Sequence, residues 1–138
     1  MPIGAVITAD IVNSTVPGAA MGKKLVRQLS AVLKNHTFEF YRGDSFQVYV
    51  RDPAVALRLS FELRATARKL SAVYDVRISI GIGKVTGTVR ALRTANSEAF
   101  VLSGRMFDQL KDTQCLWVQS AEEKANIALR VIARFSDY

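Results

Sequence analysis

Apolar residues run almost without a break from residue 3 to residue 9, and the run ends where Asp10 enters. A segment apolar on both faces predicts a central strand covered on both sides. Pro17 and Gly18 break the loop that follows, after which Leu25, Leu29, Val32 and Leu33 recur at helical spacing while Lys23, Lys24, Arg27 and Lys34 take other faces. That spacing predicts an amphipathic helix from about 19 to 34, with His36 as a turn residue just past its end. Residues 37–41 and 45–50 then alternate with period two around Arg42-Gly43-Asp44, predicting a hairpin with Gly-Asp at its tip. Asp52-Pro53 supplies an N-cap acid and a first-position proline. They open a helix to about residue 72 that buries Val55, Leu59, Leu63 and Leu70 and turns Arg58, Glu62, Arg64, Arg68 and Lys69 elsewhere.

The clearest alternation comes next. Val76, Ile78, Ile80 and Ile82 point one way and Arg77, Ser79, Gly81 and Gly83 the other, so one face of this strand is apolar and something packs closely on its glycines. A polar arm over 84–94 carries Arg90 and Arg93; a helix over about 98–110, a short strand over 115–119 and a last helix from 121 to about 135 complete the chain.

Strand, helix, hairpin, helix, strand is the βαββαβ order of a ferredoxin-like sheet, giving an α+β fold with an extra C-terminal strand and helix, in one domain over 1–138. In that topology the first strand is central and its neighbours run antiparallel to it. The end of strand one then lies beside the hairpin tip, and Asp10 and Asp44 reach one rim from distant parts of the chain. Each acid alone reads equally as a turn or capping residue. Together, beside a loop whose backbone N–H groups at Ile11, Val12, Asn13, Ser14 and Thr15 face outward, they predict a Mg²⁺ and phosphate site.

Charge adds the sign of the partner. Nineteen Lys and Arg against twelve Asp and Glu leave a net charge of +7, which favours anions such as nucleotides, nucleic acid or acidic lipid. The basic residues are scattered, as on solvated helix faces, and no helix-turn-helix, zinc-ligand or base-stacking signature accompanies them. At 49% hydrophobic the chain holds enough apolar material for a core, while no stretch is long enough to span a bilayer. The expectation is a soluble cytoplasmic protein with no membrane partner. Cys115, in an apolar run and with no second cysteine to pair with, reads as a buried strand residue.

Ala9-Asp10-Ile11-Val12-Asn13-Ser14, Gly43-Asp44-Ser45-Phe46, Arg77-Ile78-Ser79-Ile80-Gly81-Ile82-Gly83 and Ser97-Glu98-Ala99-Phe100-Val101-Leu102-Ser103-Gly104-Arg105 together resemble the class III nucleotidyl cyclase superfamily, and more narrowly its small SatD-like relatives, over about residues 5–110. The resemblance implies a head-to-tail homodimer, Mg²⁺ (or Mn²⁺ in its place) on Asp10 and Asp44, and Arg105 on the transferring phosphoryl group. It also implies a base-selecting lysine and a positioning asparagine, but these positions fall on Phe40 and Val101. Neither side chain donates a hydrogen bond, and losing one such donor commonly costs ~2.7–4 kcal/mol of transition-state stabilisation. Arg42 is a candidate for restoring positive charge near the ligand.

The expectation is therefore a degenerate cyclase-like domain that binds a nucleoside triphosphate or other phosphate ligand as a regulatory homodimer. The glycine face of the fourth strand and the basic arm lend the dimer some support. The alternatives are an active Mg²⁺- or Mn²⁺-dependent cyclase or phosphoryl-transfer enzyme, a nucleic-acid-associated protein, and a scaffold dimer in which both aspartates are relics.

Overall fold

The computed structural model describes residues 3–85, 98–110 and 115–120. The expected last helix, most of the arm with Arg90 and Arg93, and Ser97 lie outside the described residues. The elements are β1 (Ile3–Val12), α1 (Ala19–Leu33), β2 (Thr37–Tyr41), β3 (Ser45–Val50), α2 (Pro53–Leu70), β4 (Asp75–Lys84), α3 (Glu98–Asp108) and β5 (Leu116–Ser120). They form an α+β fold with one mixed sheet in the order β2-β3-β1-β4-β5. As the topology required, β1 is central and antiparallel to both β3 and β4; only the β4–β5 pairing is parallel.

β1 runs beyond the expected boundary. Asp10 does not end the strand, because it is paired on both sides, opposite Ser45 on β3 and Arg77 on β4, and the ladder continues through Ile11 and Val12. A carboxylate can stay in a central strand when a facing guanidinium compensates its charge.

The two sheet faces have different covers. Ala5, Ile7, Ala9 and Ile11 of β1, Phe46, Val48 and Val50 of β3 and Val76, Ile78 and Ile80 of β4 pack on the α1 and α2 side. α1 meets them with Leu25, Leu29 and Leu33, one turn apart and fully buried. α2 is capped as its sequence predicts, the Asp52 carboxylate accepting from the Ala54 N–H at 3.0 Å. The helix stops at Leu70, where the Ser71 N–H still reaches the Ala67 carbonyl but its own backbone is extended. Its Arg64 departs from expectation. It lies on the buried face and donates through Nε and one terminal nitrogen to the two oxygens of Asp75, both at 3.1 Å, while Arg68 adds a bond of 2.8 Å. Burial alone would raise the Asp75 carboxyl, but hydrogen bonds from Arg64, the Val76 N–H and Arg68 outweigh it and hold it below the usual carboxylate range.

On the other face α3 lies over β4 and β1, burying Ala99, Phe100 and Ser103. Thr8 and Ser103 hydroxyls are 2.6 Å apart, Ser103 and Ser79 exchange hydroxyl-to-carbonyl bonds, and Gln47 Nε2 donates to Thr8 Oγ1 at 3.3 Å. Either hydroxyl can donate in the Thr8–Ser103 pair. The close packing foreseen on the β4 glycines is supplied by this helix. A Cβ on Gly81 would meet Ala99 and Ser103 backbone, and one on Gly83 would meet Glu98. That corrects the use of the glycines as support for a homodimer, since their face is filled from within the chain. Cys115 is half-buried and immediately precedes β5, its carbonyl accepting from the Ile78 N–H at 2.7 Å.

The hairpin turn holds two successive residues in the left-handed region, Arg42 at φ 58° and Gly43 at φ 82°. Gly43 tolerates this freely, whereas for Arg42 it costs roughly 1–2 kcal/mol. Arg42→Gly removes that strain at the expense of about 0.5–1 kcal/mol of extra chain entropy. The expected result is a net gain of about 0.5–1 kcal/mol, read as a higher urea midpoint at unchanged slope; a lower midpoint would show that the Arg42 side chain contributes more than its backbone costs.

Candidate functional site

Strand alternation puts Tyr41, Ser45, Asp10 and Arg77 in one row across β2, β3, β1 and β4, on the sheet face that α3 partly covers. Arg77 Nε donates to Asp10 Oδ1 at 3.1 Å and one terminal nitrogen to Oδ2 at 2.7 Å, a bidentate pair with both side chains about a quarter exposed. The Arg77 guanidinium lies 5.3 Å from the centroid of the Phe107 ring at the end of α3. Tyr41 closes the row on the far side. Burial raises its phenol above the ordinary value; Arg42 opposes this, while Asp10, Asp108 and Glu39 add to it, so the hydroxyl stays protonated at neutral pH.

Asp44 does reach the same rim as Asp10, but with different partners. Its carbonyl accepts from the Ile11 N–H at 2.8 Å, its Oδ2 from the Ser14 hydroxyl at 3.2 Å, and its Oδ1 more weakly from Ser45 at 3.4 Å. At the end of β1, the Ile11 N–H is thus already taken and Val12 is in the ladder opposite Asp75. Asn13 takes the left-handed conformation at φ 58°, and its side-chain amide donates to the Val73 carbonyl at 2.8 Å, fastening the loop to the turn before β4. Ser14 and Thr15 complete the turn, held by a Val16 N–H bond back to Asn13.

Behind this loop lies a cavity of about 520 Å³ between β1, α1 and the hairpin turn. Ile11 and Val26 make an apolar wall with the buried Leu25 behind it, Ser14 and Gly43 line the side towards Asp44, and Lys23 and Arg27, one turn apart on α1, bring positive charge. Both cations are exposed.

Other expected site residues are elsewhere. Arg105 is exposed in the last turn of α3; two residues from the sheet-facing Ser103, it is about 200° round the helix and projects from the opposite side. Phe40 packs its ring, tilted, against Phe46 at 4.8 Å and joins the core on the α1 and α2 side, so the β2 residues sharing the face of Asp10 are Thr37, Glu39 and Tyr41. Val101 is 46% exposed. Arg42 is exposed at the turn.

Neither a protein-family model nor a curated protein matches the chain.

The chemistry of the rim follows from its charges. A divalent ion seeks carboxylate oxygens with uncompensated charge. Both oxygens of Asp10 are engaged by a permanent cation, and among the described residues no group of three or more His, Cys, Asp and Glu side chains converges. Asp10 as arranged does not fit Mg²⁺. The cavity beside it, with two cations and a hydroxyl over an apolar wall, fits an anion attached to an apolar or aromatic body.

Reading residues alone missed Arg77, Tyr41, Lys23 and Arg27 as members of this region. Arg77 was assignable to the polar face of its strand, and Lys23 and Arg27 to the exposed faces of α1, but their neighbours follow only once register and the hairpin's position are known.

Proposed function

We propose that this chain is a ferredoxin-like domain related to the nucleotidyl cyclases that binds a nucleotide or other phosphate ligand as a regulatory homodimer and does not cyclise it. One observation carries the reading: the hydrogen bond from the Ile11 N–H to the Asp44 carbonyl joins the end of β1 to the hairpin turn beside a cavity bearing Lys23 and Arg27. Anionic groups of the ligand would pair with those cations and the Ser14 hydroxyl, and its apolar part would lie along Val26. Among the described residues nothing in this arrangement sets up an attacking hydroxyl or a second cation on a leaving group, and the positions of the base-selecting lysine and positioning asparagine carry Phe40 and Val101. The homodimer rests on the resemblance and on the basic arm of the sequence.

The test is calorimetric titration of ATP and GTP into the protein with and without Mg²⁺, with sedimentation velocity in the same buffer and an assay of the mixtures for cyclic nucleotide. The reading expects saturable binding, weakened at least tenfold by Lys23→Glu/Arg27→Glu, no cyclic product, and a dimer. Charge-assisted hydrogen bonds contribute about 1.5–3 kcal/mol each, enough for that loss. No binding of either nucleotide under any condition overturns it, and cyclic product would favour the enzyme alternative instead.

A further inference from the structure

We propose that Arg77 is the resident counter-cation of Asp10, held where a divalent metal would have to bind, so that ligand binding at this rim needs no metal on Asp10. The inference deepens the nucleotide- or phosphate-binding reading and takes its ligand from it.

Three independent anchors hold the guanidinium there. Its backbone is directly opposite Asp10 in the β1–β4 ladder, so the two side chains leave neighbouring positions on the same face. Its fork gives one hydrogen bond to each carboxylate oxygen, at 3.1 and 2.7 Å. Its central carbon lies over the Phe107 ring, 5.3 Å from the centroid, which favours a cation at that spot. Arginine keeps its charge at any pH the protein survives, so this compensation cannot be titrated away. A divalent ion approaching Asp10 therefore meets a fixed positive charge. To displace it, the ion must break two charge-assisted bonds and the ring contact together. The consequence for the ligand is that Lys23 and Arg27 compensate its phosphates, in place of a bridging metal.

Metal alone tests this, with Mn²⁺ as the probe and free Mn²⁺ read by electron paramagnetic resonance. Wild type and Asp10→Asn are expected to bind Mn²⁺ equally and weakly. Arg77→Gln, and Arg77→Met, which keeps an aliphatic stem against Phe107, are expected to bind Mn²⁺ at least tenfold more tightly. That gain disappears in Arg77→Gln/Asp10→Asn. A tenfold loss of Mn²⁺ affinity in wild type on Asp10→Asn overturns the proposal, and this comparison stands even if the Arg77 variants fail to fold. Folded Arg77 variants that bind Mn²⁺ no better than wild type overturn it too. The ligand reading fails separately: if Arg77→Gln gains an Asp10-dependent Mn²⁺ site while no form binds ATP or GTP, the counter-cation stands and the ligand falls. Nucleotide binding that requires Mg²⁺ and is lost in Asp10→Asn has the opposite meaning.

Discussion

Asp75→Asn is expected to destabilise the protein by about 3 kcal/mol at neutral pH, within the ~3–5 kcal/mol range for removing one partner of a buried ion pair. The side chains of Arg64 and Asp75 are only 6% and 13% exposed, so the variant leaves the Arg64 guanidinium in the interior facing an amide that offers a single acceptor oxygen. Arg68 does not offset this, because it is 56% exposed and its interaction is screened by solvent. The pH dependence gives a second, independent reading. Because the Asp75 carboxyl is held below its ordinary value in the folded protein, its contribution is fully present above the unfolded-state pKa of about 3.9 and is lost as the pH falls through the lower folded value. Urea unfolding from pH 7 to pH 2.5 should therefore show wild type and Asp75→Asn far apart at neutral pH and converging in acid. A difference below about 1 kcal/mol at pH 7, or one that does not shrink in acid, would mean that solvent already compensates both charges. The pair also matters to the rim. Asp75 opens β4 two residues before Arg77 and faces Val12, so the contact that fastens α2 to β4 also sets the end of the ladder that brings Arg77 to Asp10.

How much of this was legible depends on whether a feature is local. The Asp52 cap, the hairpin over 37–50 and the alternation of β4 follow from residues a few positions apart, and the structure has them where the pattern put them. The approach of Asp10 and Asp44 was legible at one remove, because strand order dictates which ends are neighbours; the Ile11 to Asp44 hydrogen bond is its physical form. What each carboxylate does on arrival was not. Strand pattern says that Asp10 and Arg77 belong to polar positions, but only the register of β1 on β4 makes them direct partners, and a shift of one residue would put them on opposite faces. Arg64 was opaque for a related reason: a charge on a helix reads as solvated until a buried acid on another element is found to face it. The glycines of β4 announced a close neighbour without naming it, and α3 of the same chain is that neighbour.

Those glycines carry the other large expected effect. Gly81→Ala should cost about 3 kcal/mol or more, at or beyond the upper end of the ~1–3 kcal/mol typical of overpacking. Its Cβ would come within 2.5 Å of the Ser103 nitrogen and press on the Ala99 carbonyl, and backbone atoms of a packed helix cannot swing aside as a side chain can. α3 would have to lift from the sheet, stretching the Thr8–Ser103 contact of 2.6 Å and the two Ser79–Ser103 bonds, in a seam where unpaired hydroxyls would be buried. Two neighbours make the argument quantitative in rank. At Gly83 the closest atoms belong to the Glu98 side chain, with the Ala99 nitrogen at 3.2 Å, so Gly83→Ala should cost less, about 1 kcal/mol. At Gly104 nothing lies within 4 Å of the added atom, and in a helix Gly104→Ala should stabilise by about 0.5–1 kcal/mol. Trp117, opposite Ser79 in the β4–β5 ladder and the only tryptophan, reports on the seam, so Gly81→Ala should shift its emission while Gly104→Ala leaves it alone. Equal midpoints for Gly81→Ala and Gly104→Ala would mean that α3 rests on the sheet loosely enough to accept a methyl. The placement of Phe107 against Arg77, which depends on where α3 ends, would then lose its footing as well.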